Sequence, residues 1–203
     1  MKDVKILLDP GHGSNTPGKR SPDGSLMEYA YAREIADLVY HGLRKEGFDA
    51  EVLVKEEIDI PLSERIRRVN EECRRLGNSK VLLVSIHCNA AGDGSQWMPA
   101  VGWECYTSPG KTKADKLATC IFNEASLYLS TTTKLRADCS DGDPDKESRF
   151  YMLMHSRCAA VLTENFFYDN KEDCTYMMSE YGIDAIARVH LLGAKRFFDS
   201  PIS

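Results

Sequence analysis

The sequence predicts an α/β protein built on a mostly parallel central sheet with helices on both faces, as a single domain spanning residues 1–203. Short apolar runs of strand length, "VKILL" (4–8), "AEVLV" (50–54), "KVLLVSIH" (80–87) and "AAVLTENFF" (159–167), recur along the chain. The stretches between them place apolar residues at helical spacing, so strand and helix alternate. With 42% apolar and 28% charged residues over 203 positions, and no internal repeat or linker, the chain can bury a sizeable core.

The first run ends in the turn chemistry of Asp9-Pro10-Gly11. Residues 27–46 carry Ala32, Ile35, Ala36, Val39 and Leu43 on one helical stripe, and Gly47 stops that helix. After the strand at 50–54, Pro61 and Ser63 open a helix through "SERIRRVNEECRRL" that Gly77 closes, and residues 80–87 return as a buried strand. Further on, 101–107 is expected as a strand, 112–129 as a helix, 159–167 as a buried strand and 171–198 as one or two closing helices. Residues 88–99 and 130–148 carry no periodic pattern, and long irregular connections of this kind often wall a functional cleft.

Composition removes several function classes. A net charge of −5 offers no basic face to nucleic acid or to an anionic membrane surface, so neither is expected as a partner. Apolar runs fall far short of the roughly 18 residues that span a bilayer, and no cleavable leader of the usual form is visible, so synthesis in the cytoplasm is expected. Seven cysteines without a C-x-x-C pair fit reduced thiols better than a disulfide framework or a thiolate zinc site.

Two local motifs fail on chemistry. "GSNTPGK" (13–19) fills seven places of a phosphate-binding loop, but Arg20 stands where Ser or Thr must follow, and turn residues come next instead of a helix. Asp138, Asp141, Asp143 and Asp145 lack the Gly and distal Glu of a calcium loop and read as a solvated acidic turn.

In an open parallel sheet the ligand site lies beyond the carboxyl ends of the strands. Three apolar runs end there in chemistry-bearing residues: "LLDPGH" in His12, "LLVSIHCN" in His87 and "AVLTEN" in Glu164. Glu28, heading the first helix, can face the same crevice. Two imidazoles and a carboxylate make a three-ligand zinc site whose fourth position stays open, and Glu164 is then left to shuttle protons in a metal-assisted hydrolysis. A histidine at a strand end also serves as a hydrogen-bonded structural residue, so position alone leaves both readings of His12 and His87 open. Gly11 and Gly13 are expected to permit the tight turn that swings His12 out, and Asp9 to orient His12 or simply to end the strand. Cys88 should point into the core; His41 and His190 suit surface or interface roles, and His155 falls in an expected turn within reach of the cleft.

The segments "ILLDPGHG" (6–13), "PG" (17–18), Glu28, "LSERIRRVN" (62–70), "VSIHCNA" (84–90), "GWECY" (102–106) and "AVLTENFFYDN" (160–170) occur in one order across nearly the whole chain. In this the sequence resembles the zinc-dependent N-acetylmuramoyl-L-alanine amidases that cleave peptidoglycan. The resemblance implies one zinc per chain on His12, Glu28 and His87, with Glu164 as the catalytic glutamate. Asp9, Asn89 and His155 are candidates to support the ligands or touch substrate. It further implies an endolysin-like catalytic domain, a phage or prophage lysin or a mature fragment, that acts on the cell wall with peptidoglycan as partner. Another zinc peptidase of the stem peptide, or a non-catalytic peptidoglycan-binding domain, are the alternatives. The chain departs from the family pattern at Tyr29, at Ala32-Arg33 and at Lys55, and carries Cys88 after the second histidine.

Overall fold

The computed structural model describes residues 4–129 and 133–199. The apolar run after Val4 forms β1 (Lys5–Pro10), and the amphipathic stretch after it forms α1 (Glu28–Lys45), with Arg44 and Lys45 in its last turn where the helix dipole favours cations. β2 (Asp49–Val52) and α2 (Leu62–Leu76) follow; Gly77, at φ 95°, takes the left-handed conformation that ends α2. β3 (Val81–Asn89), β4 (Glu104–Thr107) and α3 (Lys113–Tyr128) come next, α3 opening on a capping box between Thr112 and Asp115. The chain closes with β5 (Lys146–Glu147), α4 (Tyr151–His155), β6 (Ala159–Phe167), α5 (Lys171–Met177) and α6 (Glu180–Asp199).

The sheet order is β2-β1-β3-β6-β4-β5, with β4 antiparallel to β6 and the other neighbours parallel. Alternate residues face opposite sides. Ile6, Leu8, Leu82, Val84 and Val161 pack under α1, α3 and α6, while Leu7, Leu83 and Leu162 pack under α2 and α4 in a smaller cluster. Continuing the second face toward the strand ends brings Asp9, Ser85, His87, Glu164 and Glu104 onto one row.

A bulge sharpens that row. His87 pairs with Glu164 but Asn89 with Phe167, so β6 carries one extra residue, and Phe166 adopts φ 67°. Simple alternation would put Phe166 beside Glu164. The bulge instead turns it into the α1/α6 core, where it is fully buried, and leaves the face beside Glu164 open.

Several sequence expectations need correction here. The irregular stretch 130–148 contains β5, although residues 130–132 of it lie outside the described residues. Asp145 is not part of a solvated turn: it is 3% exposed and accepts a hydrogen bond from the Thr107 hydroxyl at 2.7 Å. His155 ends a short helix rather than lying in a turn. All seven cysteines are free thiols, and Cys88 is in the core as its alternation requires.

His190 is likewise not a surface residue but fully buried on α6. Its Nδ1 lies 2.7 Å from the Ile186 carbonyl, so that nitrogen carries the hydrogen, and Nε2 accepts from the Thr163 hydroxyl at 2.8 Å. Burial holds its pKa down at about 4 from 6.5. An unfolded histidine gains a proton below pH 6.5 that the folded one refuses until about pH 4, so stability present above 6.5 is lost as pH falls through that window. The loss amounts to about 3 kcal/mol at ~1.36 kcal/mol per pKa unit. In urea unfolding, His190→Gln should lose less stability than the parent chain between about pH 7 and about pH 5; equal losses would refute this assignment.

Candidate active site

His12 reaches the strand ends through a strained turn. The residue in left-handed conformation is His12 itself, at φ 57°, and not either flanking glycine, which corrects the expected role of Gly11 and Gly13. Those glycines serve close approach. A Cβ on Gly11 would stand 2.5 Å from the His87 ring, and one on Gly13 would stand 1.9 Å from the Asp59 backbone nitrogen. A non-glycine residue in that region costs of order 1–3 kcal/mol, so something must hold it.

Two arginines do. Arg65, 1% exposed, donates to Asp9 Oδ1 at 2.7 Å, to the Pro10 carbonyl at 2.7 Å, to the Ile60 carbonyl at 2.9 Å and to the His12 carbonyl at 3.2 Å. Arg33 donates to the same His12 carbonyl at 3.0 Å and to the Glu56 carbonyl at 2.8 Å. Asp9 does not touch the His12 ring: its oxygens accept from Arg65 and from the Ser85 hydroxyl, at 2.7 Å each, so it steadies His12 through Arg65. Arg33, one of the departures from the family pattern, thereby acquires a task.

The three expected ligands converge. His12 Nε2 lies 3.4 Å and His87 Nδ1 3.3 Å from Glu28 Oε1, and one ligand atom from each residue lies within 4.8 Å of the others. The two rings meet edge-on at 5.0 Å and 86°. Glu28 is wholly buried in the first turn of α1, where the helix dipole favours an anion; its Oε1 also accepts the Cys88 backbone N–H at 3.0 Å. Its Oε2 is buried with no hydrogen-bond partner among the described residues. A buried carboxylate with one oxygen between two imidazoles and the other left bare is costly without a cation, and this N, N, O donor set suits a divalent transition metal. Burial lowers the His12 pKa to about 4 despite Glu28, which keeps its lone pair available. Burial also opposes the charged forms of His87 and Glu28, but their mutual attraction outweighs it, raising His87 and lowering Glu28.

Glu164 stands beside this trio, in register with His87 across β3 and β6. Its Oε2 is buried and without a hydrogen-bond partner among the described residues, and burial, with the Glu28 and Glu104 charges, pushes its pKa up to about 7 against the pull of His87 and Lys19. Glu104 pairs with Glu164 in register from β4 and is 1% exposed. It accepts from Asn89 and Lys146, and from Arg136 Nε at 3.1 Å.

Of the remaining candidates, Asn89 lies in the cleft through that bond to Glu104. His155 does not join the site. It is exposed at the end of α4, stacked on Tyr151 at 4.2 Å, and its carbonyl is held by Asn70 near the start of β6, the end of the strand remote from Glu164. Sequence reading missed Arg65 and Glu104, although they sit in the matched "LSERIRRVN" and "GWECY" segments, and missed Arg136 and Lys146, which lie in the stretch 130–148 with no periodic signal.

An open α/β sheet with a His-Glu-His cluster and a glutamate at its strand ends defines a candidate metal-dependent hydrolase. Residues 6–196 match the model of the N-acetylmuramoyl-L-alanine amidase family, and the chain belongs to that family. It is 29% identical over 198 residues to the N-acetylmuramoyl-L-alanine amidase CwlM of Bacillus licheniformis, covering 97% of this chain and 69% of that one. In structure it is similar to an N-acetylmuramoyl-L-alanine amidase from Clostridium difficile 630, with a TM-score of 0.80, 24% identity and 97% of each chain covered. It is also similar to the catalytic domain of the CD27L endolysin targeting Clostridia difficile, with a TM-score of 0.68, 26% identity, and 95% of this chain and 97% of that one covered.

Replacing Arg65 by Met should destabilise the protein by about 3–5 kcal/mol, because it strands the buried Asp9 carboxylate. The double variant Asp9→Asn, Arg65→Met should recover part of the loss. Denaturant unfolding of the three proteins checks this, and an Arg65→Met protein as stable as its parent would remove the anchor role.

Proposed function

We propose that this domain, residues 1–203, is a zinc-dependent peptidoglycan amidase that hydrolyses the amide between the lactyl group of N-acetylmuramic acid and L-alanine of the stem peptide. The observation that carries the reading is the convergence of His12, Glu28 and His87 within 4.8 Å beside Glu164, its partner in register with His87. His12, Glu28 and His87 would hold one zinc. Zinc held there would supply Lewis acidity toward an amide carbonyl and toward water.

Glu164 handles the proton. Its carboxylate takes one from the attacking water as the water oxygen bonds to the amide carbon, and returns it to the L-alanine nitrogen as the carbon–nitrogen bond breaks. Beside the trio, with its buried Oε2 free of any hydrogen-bond partner among the described residues, Glu164 is suited to both halves of that cycle. Wall peptidoglycan is the partner in this reading, reached as a lysin-like catalytic domain; among the described residues no helix is long and apolar enough to cross a membrane.

Glu164→Gln should keep one zinc per chain by metal analysis and lose muropeptide cleavage by about 10²–10⁴-fold. His87→Ala should lose both. Cleavage retained in Glu164→Gln would overturn the role given to that residue. Mass analysis of the products separates an amidase, which frees stem peptides beginning with intact L-alanine from glycan, from a peptidase that cuts within the stem.

A further inference from the structure

Glu104 presents a charge imbalance that the proposed chemistry does not use. One buried carboxylate needs one cation, yet both Arg136 and Lys146 pair with the same oxygen, Oε2, while Asn89 occupies Oε1. Counted over these three side chains, the cations exceed the carboxylate by one, with the Asp138 and Asp173 carboxylates acting on Lys146 and Arg136 from the neighbouring segments. The two cationic side chains remain 31% and 26% exposed, whereas the Glu104 side chain is 2% exposed, so the cations face outward. Their positions are fixed from beneath as well: Arg136 lies over the Phe167 ring at 5.2 Å and Lys146 over the Tyr106 ring at 5.9 Å. Paired residues on antiparallel strands hold their Cβ atoms about 4.5–5.5 Å apart, which puts this cationic pair one side chain from Glu164, across from His12 and His87.

We propose that Arg136 and Lys146 form a carboxylate-binding station that recognises an anionic group on the stem peptide next to the scissile amide. The inference rests on the amidase reading above. Of the two sides of that amide, the muramic acid side is neutral once its lactyl carboxyl is in amide linkage, and only the stem carries carboxylates. The nearest is that of the acidic residue after L-alanine. Matching charges then orients the substrate: the stem runs from Glu164 toward β4 and β5, and the glycan lies on the side of His12 and α2. Guanidinium and ammonium donors held rigidly by Glu104 lose little freedom on binding, so they favour a carboxylate over the uncharged amide of similar shape.

The test compares two soluble N-acetylmuramoyl peptides differing only at the second stem residue, D-glutamate with a free α-carboxylate or its amide, D-isoglutamine. The zinc-loaded parent protein should cleave the carboxylate form about tenfold better in kcat/KM, chiefly through KM. Arg136→Gln and Lys146→Met, each leaving one cation on Glu104, should narrow that gap while zinc content stays at the parent level. Equal cleavage of the two substrates by the parent overturns the station, with the amidase reading intact and without recourse to any variant. A gap undiminished in both variants also overturns it. If the parent cleaves neither substrate, the amidase reading falls and the station falls with it.

Discussion

Arg65 carries the rest of the site on its guanidinium. His12 reaches the strand ends in a left-handed conformation, held there because its carbonyl and that of Pro10 accept from Arg65. Asp9, anchored in turn by Ser85 on the neighbouring strand, supplies the charge that makes burying a guanidinium tolerable. One ion pair beneath the sheet's upper edge thus ties β1, β3 and α2 together and points an imidazole at Glu28 and His87. The glycines on either side of His12 complete the arrangement by leaving room for the His87 ring and for the backbone at Asp59.

The same logic of compensated charge extends along the row. Asp9 is balanced by Arg65, Glu28 by two imidazoles and the Cys88 backbone N–H, and Glu104 by Arg136 and Lys146. Glu28 and Glu164 each keep a buried Oε2 without a hydrogen-bond partner among the described residues, but of the two it is Glu164 whose proton affinity is raised. A sheet face that neutralises its other carboxylates and leaves this one strained keeps a proton acceptor ready where the bulge at Phe166 holds the cleft open. Behind the face, the Asn165 amide donates to the His87 carbonyl and to Thr163 and accepts from Trp103, so the strands carrying His87 and Glu164 are locked in register from the core side.

Much of this was legible in the chain before folding was considered. The apolar runs mark β1, β3 and β6 to within a residue or two, because a strand covered on both faces must be apolar throughout. Their polar last residues, His12, His87 and Glu164, stand out by contrast. His190 was misread because a helix surrounded by mixed residues hides which side is covered; a histidine with both nitrogens paired is as acceptable in a core as a leucine. β5 and α4 went unseen since two and five residues are too few to show a period.

The sequence by itself determined the alternation of strands and helices and, through its match to a family pattern, singled out His12, Glu28 and His87 as the candidate trio. Tertiary structure decided which charges meet. Asp9 finds Arg65 across 56 positions, and Glu104 finds Arg136 and Lys146 across 32 and 42, distances over which no local periodicity reports a contact. Strand register and the docking of helices and loops on the sheet bring such pairs together, and both are set by the packing of whole faces, which no short stretch of residues contains.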